Sequence, residues 1–381
     1  MTTTRSAMPS VASPALYVAL ELGKKEWKLG VTSGFGIAPW VRTVAAGHFD
    51  AIDRVLARAR ARFGVAPDAP VWSCYEAGRD GFWIHRAVVA RGWRNRVVDS
   101  ASIEVNRRAR RTKTDRIDAR KLVTQLVRAV GGESGVWQEV RVPSAAVEAG
   151  RHVSRERTAL VAARLRLRNQ IGSLLALNGC GARRPARPAA DWWTRVRDWQ
   201  GAPVAASVQG RIARVEARLA LLADQVAALD AAQAAATQTA SAESALGRLV
   251  RLRGVATTSA SVLLAEGLVW RAFHNRREVG GFLGFAPTHY NSGTSERDQG
   301  IRCAGNHRLQ ADAIQLAWNW VRWQPTSDLT QWYQANFGGR KRTRRVGIVA
   351  VARKLFIALW RYATTGVVPT GAVLKTVTPP A

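Results

Sequence analysis

Lys113-Thr114-Asp115-Arg116-Ile117-Asp118-Ala119-Arg120 sets two carboxylates three residues apart at the opening of an expected helix. At that spacing both project from one helical face. Arg110, Arg111, Lys113, Arg116 and Arg120 surround them, so acids suited to a divalent cation stand beside cations suited to phosphate. The plainer alternative is a first helical turn whose acids complement the macrodipole behind a Thr114 N-cap.

What precedes the pair bears on that choice. Ala15-Leu16-Tyr17-Val18-Ala19-Leu20-Glu21 is an apolar run, read as a buried strand that ends in an acid. Beyond Gly23-Lys24-Lys25, alternation through Trp27, Leu29 and Val31 predicts a second strand in hairpin with the first, and 39–45 supplies a third. Residues 48–63 switch to helical spacing, with Phe49, Ile52, Leu56 and Phe63 on one face. Val71-Trp72-Ser73-Cys74-Tyr75-Glu76 is a further strand ending in an acid, followed by a helix through Trp83 and Val88 and a strand at Arg96-Val97-Val98-Asp99. Hairpin strands followed by alternating helices and strands describe an α/β unit, a mixed sheet with helices packed on it. Glu21, Glu76 and the pair Asp115 and Asp118 then stand in the order by which a ribonuclease H-like fold gathers acids around two Mg²⁺ ions, which clamp the attacking and leaving oxygens of a phosphoryl transfer. Singly, a strand-end acid is more often a solvated loop residue; the order carries the reading.

Composition narrows the partners. Over 381 residues, 57 Lys and Arg against 27 Asp and Glu give a net charge of +30, a balance expected of a protein that covers DNA or RNA over a large area. A coding bias toward Ala and Arg accounts for Arg outnumbering Lys, but not for the scarcity of acids. The length suits two or three domains, and 47% hydrophobic residues suit a folded core. Cys74, Cys180 and Cys303 form no Cys-x-x-Cys pair, so neither a disulfide framework nor a zinc site is expected, and a reducing, intracellular location is. No run of about eighteen uncharged apolar residues is evident. Residues 1–14 read as a disordered tail and 371–381 as a second tail.

Between these ends, 144–250 reads as a helical linker. Residues 144–178 form a long helix; a connector bracketed by Asn178-Gly179, Pro185, Pro188 and Pro203 holds Trp192, Trp193 and Trp199. Val208, Ile212, Val215, Leu219, Leu222, Val226 and Leu229 then repeat at spacings of four and three, the heptad pattern of a coiled coil. Whether that seam meets a second chain or folds back as a helical hairpin stays open on spacing alone. A mainly helical domain covers 251–370. Gly254 between two helical stretches resembles a helix-hairpin-helix turn, able to offer backbone N–H groups to phosphate, and a plain helical turn is the alternative. Thr288-His289-Tyr290-Asn291-Ser292-Gly293-Thr294-Ser295 reads locally as a turn at Asn-Ser-Gly. Ala304-Gly305-Asn306-His307-Arg308 opens another helix whose Gly305 and Asn306 backbone and Arg308 side chain suit a DNA backbone. Arg340, Lys341, Arg342, Arg344 and Arg345 form a basic run before the last apolar helix, expected to contact phosphate.

Taken together, Tyr75-Glu76-Ala77-Gly78, the 113–120 stretch, the 288–295 segment and the 304–308 segment resemble the DEDD transposases of bacterial insertion sequences, also called bridge-RNA-guided recombinases. The likeness covers most of the chain. It implies a RuvC-like nuclease domain over 15–143 joined through a coiled coil to a C-terminal transposase domain. It also implies Mg²⁺ at Glu21, Glu76, Asp115 and Asp118, and a nucleophile at Ser292 that forms a covalent phosphoserine. Donor and target DNA, a bridge RNA and a homodimer that gathers into a tetramer on paired DNA are the implied partners, with a composite site built between subunits. One departure stands out: the family's first acid is usually Asp, and here the position is Glu21, one methylene longer. The competing readings are a Mg²⁺-dependent, structure-specific nuclease resembling a Holliday-junction resolvase, and a non-catalytic nucleic-acid binder. A hydrolytic nuclease uses water in place of Ser292 as nucleophile. A sugar kinase of related fold is disfavoured by the charge and by the lack of a Gly-rich phosphate loop.

Overall fold

The computed structural model describes residues 14–103, 115–181, 183–285, 287–292, 295–301, 305–338 and 342–375; at Arg116 and within 287–292 and 295–300 it describes the backbone alone. Arg110, Arg111, Lys113, Arg340 and Lys341, and nearly all of the expected N-terminal tail, lie outside the described residues. The chain divides into two units, Met1–Pro143 and Ser144–Ala381.

The first unit is built on β1 (Leu16–Leu22), β2 (Glu26–Thr32), β3 (Trp40–Ala45), β4 (Val71–Glu76) and β5 (Arg94–Val98), with helices α1 (Phe49–Phe63), α2 (Trp83–Val89) and α3 (Asp115–Val130). The five strands lie in the order β3-β2-β1-β4-β5; β2 runs antiparallel to β1 and β3, while β4 runs parallel to β1 and β5. β5 starts earlier than expected because Arg94 and Asn95 pair with Trp72 and Ser73, and Asp99 leaves the sheet to accept a hydrogen bond from the Ala101 N–H at 3.1 Å.

Central β1 is buried on both faces, which is why it reads as a continuous apolar run. Leu16, Val18 and Leu20 join Ile52, Leu56, Ile84 and Val88 of α1 and α2 in one core. Ala15, Tyr17 and Ala19 join Leu122, Val123, Leu126 and Val127 of α3 in another. Burying each of the large aliphatic side chains contributes roughly 1.5–3 kcal/mol.

The second unit begins with α4 (Ala145–Leu177) and α5 (Ala206–Gln238). The Ser144 hydroxyl caps α4 by accepting from the Val147 N–H at 3.3 Å. The two helices lie antiparallel: Ile171, Leu174 and Leu175 near the end of α4 pack on Ile212, Val215 and Leu219 near the start of α5. The heptad seam of α5 is therefore covered within one chain. Trp192, Val196 and Val204 of the connector fold into the same cluster, held by Glu216, which accepts from Arg184 Nε and Nη2 at 2.7 and 2.8 Å and from Trp192 Nε1 at 3.0 Å. By length and composition α5 is apolar enough to cross a membrane. Much of that apolar content is alanine, and Asp230 in its later half forms an ion pair with Arg157 of α4 at 2.5 Å.

The rest of this unit comprises α6 (Ala245–Arg251), α7 (Thr257–Glu266), α8 (Arg276–Leu283), the antiparallel hairpin β6 (Pro287–Ser292) and β7 (Ser295–Ile301), then α9 (His307–Trp323), α10 (Asp328–Phe337) and α11 (Arg344–Thr365). Its core gathers around α11, whose Ile348, Val351, Leu355, Phe356 and Leu359 are buried among side chains of α6 to α10. The expected tail from 371 is anchored at its start. Leu374 bridges to Leu252, and Lys375 Nζ donates to the carbonyls of Val250 and Val255 at 2.7 and 2.8 Å, which closes the α6–α7 turn.

Candidate active site

Parallel pairing of β1 with β4 runs through Leu20 and Tyr75, so the next residues, Glu21 and Glu76, sit at the carboxyl ends of neighbouring strands. Ligands of open α/β sheets gather at this edge. Both acids are half-buried and line one cleft of about 370 Å³ with Lys24, Gly78, Arg79 and Asp80. The Ala77 N–H donates to the Val98 carbonyl at 2.7 Å, which carries the β4–β5 pairing past Glu76. The Tyr75 hydroxyl donates to the Gly81 carbonyl at 3.0 Å and braces the loop that walls the cleft.

Asp115 and Asp118 open α3, as the spacing predicts. Ala119 of this helix lies directly on β2, where a Cβ added to Gly30 would stand 2.4 Å from the Ala119 carbonyl oxygen. Only glycine admits the helix at that depth. Gly30 pairs with Ala19, two residues before Glu21. Asp115 is exposed and Asp118 half-buried, and neither lines the cleft that Glu21 and Glu76 share. Among the described residues no three His, Cys, Asp or Glu are grouped closely enough to hold a metal ion. The structure thus brings Glu21 and Glu76 together and leaves Asp115 and Asp118 outside their cleft. Carboxylate oxygens are the ligands Mg²⁺ takes, and one or two of them completed by substrate phosphate oxygens is a common set. Glu21 and Glu76 fit that pattern, and Lys24 in the same cleft suits phosphate.

In the second unit Ser292 is the last residue of β6 and pairs with Ser295 of β7. The sequence at Asn291-Ser292 reads as a turn, yet both residues belong to the strand, since Asn291 pairs with Glu296. The hairpin leaves α8 after the left-handed Gly284 and leads into α9 through Gly305 and Asn306. These two ends are close: a Cβ on Gly305 would stand 2.8 Å from the Leu283 carbonyl oxygen and 2.9 Å from the Gly284 Cα. Asn306 Oδ1 caps α9, accepting from the Arg308 and Leu309 N–H groups at 3.1 and 3.4 Å, while its Nδ2 donates to Glu266 Oε2 at 3.0 Å. The Asn306 side chain is therefore engaged at both ends within the fold. Arg308, exposed in the first turn of α9, faces solvent.

Glu266 is the residue that sequence reasoning missed. It is 1% exposed at the end of α7 and accepts from Arg155 Nε and Nη2 of α4 at 3.1 and 3.2 Å, with Arg151 Nη2 at 3.6 Å. Burial pushes its carboxyl up, but the hydrogen bonds from Arg155 and Asn306 and the charges of both arginines outweigh burial and hold it below the usual range. Asp312 of α9 was also missed. Its Oδ1 accepts from the Ser259 hydroxyl at 3.1 Å, its Oδ2 is buried without a hydrogen-bond partner among the described residues, and burial pushes the carboxyl up to about 7. Neither carries a local sequence signal, because their partners lie 40 to 111 residues away.

The cations are exposed. Arg120 lies on α3, and Arg342, Arg344 and Arg345 crowd the start of α11, with the Arg344 guanidinium 4.8 Å from the Trp318 ring centroid. Positive charge at a helix N-terminus opposes the macrodipole, so this run does not serve helix stability. Gly254 takes a left-handed backbone, φ 87°, at the α6–α7 turn beside Trp323, whose ring has Arg253 and Arg322 guanidinium groups 5.9 and 5.0 Å from its centroid.

Comparison with known proteins agrees with a nucleic-acid enzyme. Residues 247–331, from α6 into α10, match the family described as Transposase IS116/IS110/IS902 family. The chain is 40% identical, over 95% of each sequence, to a Sinorhizobium fredii (strain NBRC 101917 / NGR234) protein named Putative transposase y4rJ. It is 26% identical to Putative transposase y4qE of the same strain, over 77% of this chain and 75% of the relative. With 40% identity sustained across both units, the chain belongs to the IS116/IS110/IS902 family of transposases.

Proposed function

We propose that this transposase cuts and rejoins DNA with a Mg²⁺-dependent acidic site in a ribonuclease H-like (RuvC-like) unit and with Ser292 as nucleophile, guided by a structured bridge RNA. The observation that carries the reading is the pair Glu21 and Glu76, placed at the ends of adjacent parallel strands in one cleft. The sheet order, an antiparallel meander followed by parallel strands, supports the ribonuclease H-like assignment. Asp115 and Asp118 complete the acid set by closing on that cleft when DNA is bound, since catalytic contacts commonly tighten only in the complex. Bound Mg²⁺ would supply neutralising charge to the scissile phosphate.

Ser292 Oγ attacks the scissile phosphorus and the bond from phosphorus to the 3′ oxygen breaks. The serine proton passes to a base, and the departing 3′ oxygen takes up a proton, leaving a 3′-hydroxyl and a 5′-phosphoserine linkage. Attack by the 3′-hydroxyl of another strand reverses the step and restores the serine. One phosphoester is exchanged for another, so no ATP is consumed. Arg120, Arg308, Arg342, Arg344, Arg345 and the Gly254 turn hold the phosphate backbone. Subunits pair through exposed apolar positions of the α4–α5 arm, where Leu165 and Leu221 are more than half exposed, and four gather on donor and target DNA.

The test is to incubate the protein with Mg²⁺, RNA transcribed from the DNA beside its gene, and duplexes of the native flanking sequence, then to digest and map phosphopeptides. The expected adduct is on Ser292. An adduct elsewhere, or hydrolysed ends from the Ser292→Ala variant, overturns the serine mechanism.

A further inference from the structure

The buried Glu266 carboxylate joins two elements distant in sequence. Through Arg155 and Arg151 it binds α4, and through Asn306 it binds the segment by which the β6–β7 hairpin returns to α9. That return is locked on its other side as well, because Gly305 abuts the end of α8 and Gln310 Nε2 donates to the Leu283 carbonyl at 3.0 Å. The hairpin bearing Ser292 therefore springs from a closed base, and a tie from that base to the α4 arm passes through one carboxylate. A lone carboxylate at this depth costs several kcal/mol unless its partners are in place. The bracket is accordingly sensitive to the position of either partner.

We propose that Glu266 is a positioning residue for strand exchange: it fixes the base of the Ser292 hairpin to α4, so that attack by Ser292 depends on α4 being docked. The inference rests on the Ser292 reading and adds to it the coupling of the arm to the nucleophile. Displacement of a reacting group by an ångström lowers rates by up to about a hundredfold without changing binding. Loss of the bracket should therefore slow adduct formation while DNA retention holds.

The test uses the full-length protein with Mg²⁺, RNA from beside the gene and duplexes of the native flanks, and measures the adduct rate, DNA retention and the melting curve in parallel. Asn306→Asp keeps the α9 cap but sets a second carboxylate against Glu266; it should slow adduct formation about tenfold or more, with DNA retained. Glu266→Gln keeps the side-chain shape but leaves one acceptor oxygen for Arg155 and Asn306, and should slow the adduct as well. Arg155→Met, whose side chain is 40% exposed and which leaves Arg151 beside Glu266, covers the case in which Asn306→Asp fails to fold, and should also slow the adduct. Adduct rates that stay at the wild-type level in folded Arg155→Met or Asn306→Asp, or that fall only in step with melting, overturn the positioning role and leave Ser292 untouched. Failure of the Ser292 reading shows separately, as an adduct on another residue in the unmodified protein.

Discussion

The carbonyl oxygen of Ala119 occupies the space that a side chain on Gly30 would need, 2.4 Å from where its Cβ would fall. This contact sets the depth of α3 on the sheet, and with it the position of Asp115 and Asp118. Gly30→Ala should lower stability by about 1–3 kcal/mol through overpacking, or push α3 outward. Denaturant unfolding combined with a strand-cleavage assay checks this; unchanged stability together with full cleavage would show that the depth of α3 is immaterial.

Alanine at Asp118, and separately glutamine at Glu76, should abolish strand cleavage while DNA retention stays near the wild-type value. The measurement is product formation against filter retention in the same Mg²⁺ buffer. Normal cutting by Asp118→Ala removes that residue from the acid set.

Asp312 links stability to pH. Its carboxyl titrates near 7 in the folded chain, against about 3.9 in an unfolded one. Between those values the folded state binds more protons, so the contribution of this group is most favourable below about pH 4 and is lost as pH rises toward 7. Asp312→Asn retains an acceptor for Ser259 and removes the buried charge. Urea unfolding should find it more stable than wild type by roughly 2–4 kcal/mol at pH 8, with the gain shrinking at pH 5. An equal difference at both pH values contradicts this assignment.

The arm offers two kinds of apolar position. Leu219 is buried between α4 and α5, so Leu219→Glu should destabilise the arm by a few kcal/mol, as burial of an unpaired charge does. Leu165 and Leu221 are exposed at 59% and 57%, so Leu165→Glu combined with Leu221→Glu should leave the fold intact and lower the mass seen by light scattering. A wild-type mass for the folded double variant places subunit pairing elsewhere.

Replacing Arg308, Arg342 and Arg345 with glutamine should weaken DNA binding across sequences alike and reduce the salt slope by about one unit for each lost phosphate contact. Titrations at several salt concentrations measure the slope. An unaltered slope would take these arginines off the backbone.

Much of the first unit is legible in the sequence because the signals are local. The continuous apolar run at 16–20 marks a strand covered on both faces, the alternation at Glu26–Thr32 marks its hairpin partner, and Glu21, one residue before the end of its strand, and Glu76, at the end of its own, stand where a parallel sheet presents its ligand edge. Asp115 and Asp118 are equally visible, three residues apart on one helical face. The heptad of α5 is legible as a seam that needs a partner, but its period is the same whichever helix supplies the cover; tertiary packing assigned α4 of the same chain. Asn291 and Ser292 carry turn chemistry, and cross-strand pairing with Glu296 and Ser295 made them strand. Glu266 had no local mark at all. A glutamate at a helix end is ordinarily solvated, and it became a buried anion only because Arg155 lies 111 residues before it and Asn306 40 residues after it, both brought within hydrogen-bonding distance by the fold. Local spacing thus determined which elements form and which face of each is apolar; long-range packing decided which polar groups lost water and had to find one another, because desolvation is a property of the assembled structure and not of the chain.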